Sequence, residues 1–342
     1  MRKKIFGICF FAISFHFVTA QNYAVGADLS FLKQAEDSGF VFKENDKAKP
    51  GIQIFKDHGY NWIRLRLFHS PTRLPNNLAY TIALAKEAKK NGFKFLLDYH
   101  YSDTWADPGK QFIPEAWVGK SQAELVTAVF EYTRATMISF RDAAVFPDMV
   151  QIGNEISNGM LWPNGKLPEN WDNLAALLQA GINGVHASCG NNPCPQIMIH
   201  IDKGGDKTFT KNFFDKINSY GIRYDVIGQS YYPWWHGTLF DLRDCLYFTA
   251  EEYKKDIMVV EAAYNWKPRE YINKNAPFPE SPEGQKEFLE EVNRIVMQVP
   301  GNRGIGVFWW EPAVRRSGSR SFFTEEGNVL PVIHVFDKFT RK

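Results

Sequence analysis

Asp148-Met149-Val150-Gln151-Ile152-Gly153-Asn154-Glu155 is the stretch on which the reading of this chain turns. A short apolar run of strand character ends abruptly on Gly-Asn-Glu, so the backbone leaves a buried element and delivers a carboxylate at its tip. An ionisable group in that place is costly unless a partner or a reaction employs it. The same form recurs 106 positions later in Asp256-Ile257-Met258-Val259-Val260-Glu261. Glu155 and Glu261 are therefore a candidate pair, facing each other across the mouth of a barrel and dividing acid/base and nucleophile work.

Short apolar, β-branched or aromatic runs lie on both sides of these two. They cover 23–29, 62–68, 94–100, 149–154, 196–201, 225–230, 257–262 and 304–310. Amphipathic, helix-period segments alternate with them at 50–58, 78–91, 121–141, 171–187, 210–219, 239–255 and 282–299, with a last one at 331–339. Alternation of this kind implies strand-helix units and a parallel sheet. Eight units without an internal repeat, a low-complexity tract or a linker predict an α/β fold of one domain, a single (β/α)8 TIM barrel. An open doubly wound sheet is the alternative. In barrels the chemistry sits where strands end. Polar residues gather at those points: Asp28 and Ser30, Arg64 and Arg66, Asp98, His100 and Asp103, Asn154 and Glu155, His200 and Asp202, Gln229 with Tyr231 and Tyr232, Glu261, and Trp309, Trp310 and Glu311.

Residues 1–20 do not belong to this pattern. Arg2-Lys3-Lys4, an apolar stretch over 5–18 and Val18-Thr19-Ala20 read as a signal peptide, so residues 21–342 form the barrel and the product is exported, to a periplasm or the outside. No later stretch approaches the length of a membrane span. Without the leader, 37 of the 40 basic residues face 38 acidic ones, which implies no nucleic-acid or other polyanion partner. Three cysteines remain. Cys189 and Cys194 flank a short loop and could bridge, a point the spacing leaves open, and Cys245 would be a buried odd thiol. Aromatic residues make up 15% of the chain, including ten Trp, and many lie in loops, where flat rings suit the faces of sugars.

Each carboxylate also has a purely structural explanation, as a buried partner of Arg64 or Arg66. Glu311 is the internal rival for catalysis. A metal site could be imagined from Asp98, His100, His200, Asp202 and His236, but no pair of histidines has ligand spacing. There is no Gly-rich phosphate loop and no Gly-x-Ser-x-Gly elbow. No metal and no cofactor are expected.

Seven motifs, in order along the mature chain, resemble the endo-β-1,4-galactanases of glycoside hydrolase family 53. They are Gly26-Ala-Asp28-Leu-Ser30, Asn61-Trp-Ile-Arg-Leu-Arg66-Leu, Leu97-Asp98-Tyr-His100-Tyr-Ser-Asp103-Thr-Trp105-Ala-Asp107-Pro, Gln151-Ile-Gly-Asn154-Glu155, Gly228-Gln-Ser-Tyr-Tyr232-Pro-Trp-Trp-His236-Gly, Val260-Glu261-Ala-Ala-Tyr264 and Gly306-Val-Phe-Trp-Trp310-Glu-Pro. The resemblance implies a retaining barrel in which Glu155 is acid/base and Glu261 nucleophile. It further implies that Asn154 contacts the hydroxyl beside the anomeric carbon and that Tyr232 orients Glu261. Arg66, Asp98 and His100 would line the cleavage subsite with Trp310 beneath the sugar, and Asp28 and Trp234 would complete the substrate contacts. The implied partner is a neutral plant cell-wall polysaccharide, galactan, cut internally by a monomer that inserts into no membrane. A β-mannan, glucan or xylan hydrolase of the same clan, or a carbohydrate-binding barrel without catalysis, are the competing readings. The loop 265–279 carries Lys and Arg where calcium ligands would be needed, so no calcium site is expected there.

Overall fold

The computed structural model describes residues 23–269, 276–314 and 318–337. Eight parallel strands close into a barrel: β1 (Ala24–Asp28), β2 (Trp62–Leu67), β3 (Lys94–Tyr99), β4 (Met149–Ile152), β5 (Gln196–Ile201), β6 (Val226–Tyr231), β7 (Asp256–Ala262) and β8 (Gly304–Trp309). Each strand pairs with its sequence neighbours, and β1 pairs with both β2 and β8, which leaves no open edge and removes the open-sheet alternative.

The long helices are α1 (Gly51–Asp57), α2 (Leu78–Lys90), α3 (Gln122–Asp142), α4 (Trp171–Ser188), α5 (Lys207–Ser219), α6 (Leu239–Tyr253) and α7 (Pro282–Met297). Local chemistry sets their ends. Ser121 and Thr238 begin α3 and α6 with reciprocal capping boxes through Glu124 and Asp241. Asp206 caps α5, which therefore starts three residues before the expected 210. The expected helix at 331–339 is 3-10 over Pro331–Phe336, and its last residues lie outside the described ones. Two short helices, Leu32–Asp37 and Pro233–His236, and two small β-ribbons were not foreseen, because elements of two to six residues carry no periodic signal.

Alternation along the strands sorts side chains into two cores. On β2, Ile63, Leu65 and Leu67 join the large cluster under the helices, whereas Trp62 joins a small cluster inside the barrel. Leu96, Met149, Met198, Val226 and Met258 fill the same interior, so one end of the barrel is plugged by apolar side chains. Toward the strand ends the inward positions turn polar, beginning with Arg64, Asp98, Gln151 and His200, all fully buried.

Strand β7 breaks the alternation. Gln229 of β6 aligns with Val259, but the next residue, Ser230, aligns with Glu261, so β7 carries one extra residue at Val260. Val259 and Ala262 pack outward, while Val260 lies in the inner cluster and the Glu261 carboxylate bonds to groups inside the barrel. The bulge lets two consecutive residues face inward, and the second is the carboxylate.

Cys189 and Cys194 form a disulfide with Cα atoms 5.4 Å apart, which closes the question left by their spacing. Cys245 is a buried free thiol, as expected. Residues 1–20, read as a leader, lie outside the described residues, as do 270–275 in the loop for which no calcium site is expected.

Candidate active site

Glu155 leaves β4 through Gly153, whose φ is +82° and where a Cβ would stand 2.7 Å from Ile156 Cγ2. Glu155 itself takes a left-handed backbone (φ 47°, ψ 51°), uncommon for a residue with a side chain and concentrated at functional sites. The turn swings its carboxyl over the barrel mouth. One carboxylate oxygen of Glu155, one of Glu261 and a ring nitrogen of His200 all lie within 4.8 Å of one another.

Beneath them lies the guanidinium of Arg64. Its Nη1 donates to Glu261 Oε1 (2.7 Å) and Asp28 Oδ2 (3.1 Å). Its Nη2 donates to Asn154 Oδ1 (2.7 Å) and lies 2.8 Å from Asp98 Oδ2. Burial works against its charge, but Asp98, Glu261 and Asp28 together hold it protonated. The other oxygen of Glu261, Oε2, accepts from the Tyr232 hydroxyl at 2.8 Å. Burial pushes the Glu261 proton affinity up, and Arg64 and Tyr232 pull it back down.

Glu155 has weaker support. Ser230 donates to its Oε1 at 2.6 Å, and Ser230 Oγ in turn lies 2.8 Å from His200 Nε2. Because the serine proton points to Glu155, His200 carries its hydrogen on Nε2, and its Nδ1 accepts from Gln151 at 3.0 Å. Burial, then Arg64, push the His200 pKa well down, in keeping with this neutral tautomer. Burial, the negative charge of Glu261 and that of Asp202 raise the Glu155 pKa well above 4.5. The two carboxyls are thus set apart by their surroundings: Glu155 holds its proton, and Glu261, in contact with a fixed cation, gives its own up first.

A hollow of about 350 Å³ opens above the pair, walled by Trp105, Tyr232, Trp235 and Trp310 and by His100, Asn154, Asp202 and His236. Burial pushes the His236 pKa down to about 4, and its Nδ1 accepts from the Tyr232 backbone N–H at 3.1 Å. The Arg66 guanidinium lies over the rings of Phe31 and Trp105, 4.7 and 4.3 Å from their centroids, with Nη2 2.9 Å from Glu311 Oε1. Glu311, the catalytic rival, is therefore the partner of Arg66, one strand beyond the pair. Two further hollows continue the central one. One shares Asp202, Trp235 and His236 with it and reaches Lys203 and Lys207, and the other shares Trp310 and Arg320 and reaches Arg269.

The sequence model of glycosyl hydrolase family 53 matches residues 24–342. The chain belongs to glycosyl hydrolase family 53. It is 36% identical over 335 residues to an arabinogalactan endo-beta-1,4-galactanase of Thermothelomyces thermophilus, covering 92% of this chain and 98% of that one. A protein of the same name from Cellvibrio japonicus is 34% identical, with 92% and 90% covered. Among solved structures, a family 53 catalytic domain from Ignisphaera aggregans superposes with a TM-score of 0.86 at 32% identity, over 92% of this chain and 95% of that one. A fungal beta-1,4-galactanase superposes at 0.83 and 34%, over 92% and 99%.

In this family 53 chain the residues singled out in the sequence fall into two tiers. Glu155, Glu261, Asn154, Arg66, His100, Tyr232 and Trp310 line the cleft. Asp28, Asp98 and Trp234, expected against the sugar, do not. Asp28 and Asp98 are fully buried and drawn under the floor by Arg64. Arg64 and His100 overcome the effect of burial on Asp98 and hold its pKa below the usual carboxylate value. Trp234 stacks on Tyr264 behind the wall, ring centroids 5.7 Å apart, and its neighbour Trp235, 50% exposed, takes the cleft position. Neighbouring aromatic residues on a short helix point apart, and periodicity does not say which of the two faces the cleft.

The roles of Ser230, His200 and Arg320 were missed. Arg64, expected as a buried partner of a carboxylate, is that for Glu261 and also joins Asp28, Asp98 and Asn154. Arg320 lies nine residues past Glu311 in a loop without any pattern, and no local signal marks it.

Proposed function

We propose that this chain is an endo-acting, retaining β-1,4-galactanase that cuts internal bonds of pectic galactan. The observation that supports the mechanism is that one carboxyl oxygen of Glu155 lies within 4.8 Å of one of Glu261, near enough for the short separation of a retaining pair. Retaining glycosidases hold their carboxyl groups about 5 to 5.5 Å apart, whereas inverting ones need about 6.5 to 9.5 Å to admit a water. Glu155 protonates the glycosidic oxygen as the Glu261 carboxylate attacks the anomeric carbon, forming a glycosyl ester. Esterification removes the Glu261 charge that raises the Glu155 pKa, so Glu155, now ionised, draws a proton from the water that releases the sugar. Endo action is supported by a cleft that continues past the pair in both directions. The galactan assignment is supported by the names of the relatives, whose chains match this one over nearly their whole length.

Sizing the products from galactan, mannan and xylan over a time course tests this reading. Early release of mid-length galacto-oligosaccharides from galactan supports it, and an intact galactan beside a degraded mannan or xylan refutes the substrate. A monomeric state belongs to the same proposal and is supported by both carboxylates lying on one chain. Export belongs to the same proposal. It is supported by the leader pattern in 1–20 and by the Cys189–Cys194 bridge, a bond oxidising compartments favour. Among the described residues no helix is long and apolar enough to cross a membrane. A secreted product whose first residue is not near Gln21 would overturn the leader.

A further inference from the structure

The end of the cleft beyond Trp310 carries two arginines, Arg269 and Arg320. Arg320 lines both the central hollow and the smaller one of about 240 Å³ next to it, and Arg269 also lines the latter. The Arg320 guanidinium is set among aromatic rings, its Cζ 5.1 Å from the centroid of Trp310, 5.6 Å from Tyr232 and 5.7 Å from Trp235. Its backbone carbonyl accepts from Trp309 Nε1 at 2.8 Å, which ties the loop to β8. Among the described residues neither Arg320 nor Arg269 has an ion-pair partner, and Arg320 Nε is buried without an acceptor. Glu311 lines the smaller hollow as well, and the carboxylates nearby are held by groups other than these two arginines. Glu311 faces Arg66, Glu325 faces Lys267, and Glu280 accepts from Asn265 and from the backbone N–H of Arg269.

We propose that this end of the cleft recognises a carboxylate-bearing sugar, a uronic acid residue attached to the neutral polymer that the pair cleaves. Aromatic rings are sufficient for the faces of neutral sugars. A planar guanidinium beside them, with no ion-pair partner among the described residues, and a second arginine lining the same hollow match the two oxygens of a carboxylate. Strand β8 stands opposite β4 in the closed barrel, so this end lies away from Glu155 and the leaving group. The uronic acid is therefore accepted on the non-reducing side of the cut. The inference deepens the galactanase reading and rests on it for the identity of the neutral sugars.

The test compares β-1,4-galactotetraose with the same tetrasaccharide oxidised to a carboxylate at C6 of its non-reducing residue. kcat/KM is measured for each with the wild-type chain, Arg320→Met, Arg320→Lys and Arg269→Met. The wild type should prefer the acidic probe about five-fold at low salt, the upper range for a solvent-accessible ion pair. The preference should shrink toward parity in about 0.5 M NaCl, where screening acts within a few ångströms. Arg320→Met should abolish it, Arg320→Lys should keep part of it, and Arg269→Met should reduce it. A wild type that treats both probes alike, or an Arg320→Met variant with an unchanged ratio, overturns the proposal and leaves Arg320 as a clamp on the aromatic wall. If neither probe is cut, the galactanase reading fails by itself. Calorimetric binding of both probes to Glu155→Gln then decides the carboxylate site, supporting it if the acidic one binds more tightly and overturning it if the two bind equally.

Discussion

Tyr232→Phe isolates one hydrogen bond of the pair. The hydroxyl donates to Glu261 Oε2 at 2.8 Å, while Arg64 serves the other oxygen, so the substitution leaves one buried anionic oxygen without a donor. The ring, packed against Trp235 and Trp310, is retained. A hydrogen bond to a charged group contributes about 1.5 to 3 kcal/mol, which corresponds to roughly one to two pKa units. The bond stabilises the ionised form, so its loss raises the Glu261 pKa further above 4.5. In the pH profile of kcat/KM the acidic limb reports Glu261 and the alkaline limb Glu155. The acidic limb should therefore move up by about one to two units. On its slope each unit is about tenfold in rate, so the loss deepens as pH falls. The assay is initial-rate hydrolysis of a soluble galactan across the pH range, with a melting curve to show that the variant is folded. A folded variant whose acidic limb is unmoved, or displaced downward, would refute the assignment of Glu261 as the group that must be ionised.

Three further outcomes follow from the same geometry. Glu155→Gln should lose nearly all activity yet melt higher than the wild type at neutral pH. The Glu155 pKa is raised on folding, so its ionisation opposes the fold as pH rises above about 4.5; the gain should vanish near pH 4 and below, and equal melting temperatures at pH 4 and pH 7 would count against it. Arg64→Lys should abolish activity and destabilise by about 3 to 5 kcal/mol, because a single ammonium cannot serve Asp28, Asp98, Asn154 and Glu261 together; chemical denaturation measures this, and a loss below about 1 kcal/mol would remove Arg64 from its central place. Gly153→Ala should cost about 1 to 3 kcal/mol and lower kcat, since it forces a side chain into a left-handed backbone against Ile156 directly before Asn154 and Glu155; wild-type stability and rate would show that the turn tolerates it.

The sequence by itself determined the architecture and half of the pair's geometry. Strand and helix periods are local properties, which is why eight strand-helix units could be counted before any pairing was known, although the cap at Asp206, equally local, starts its helix three residues before the period alone indicates. Gly153-Asn154-Glu155 is likewise local, because a glycine with positive φ ends the strand and turns the carboxylate out. Tertiary structure decided the other half. By alternation, Met258 and Val260 facing inward should send Glu261 out toward the helices, and only the extra residue in the register against β6 brings it in. That bulge is a property of two strands, and neither strand records it alone. The descent of Asp28 and Asp98 below the floor has the same origin, since it depends on where Arg64, a residue on a third strand, places its charge. Arg320 reaches the cleft from an irregular loop, where neither period nor motif shows that a distant cation will end beside Tyr232 and Trp310. Local propensity is carried by near neighbours in the chain, whereas the convergence of charges from separate strands exists only once the barrel has closed.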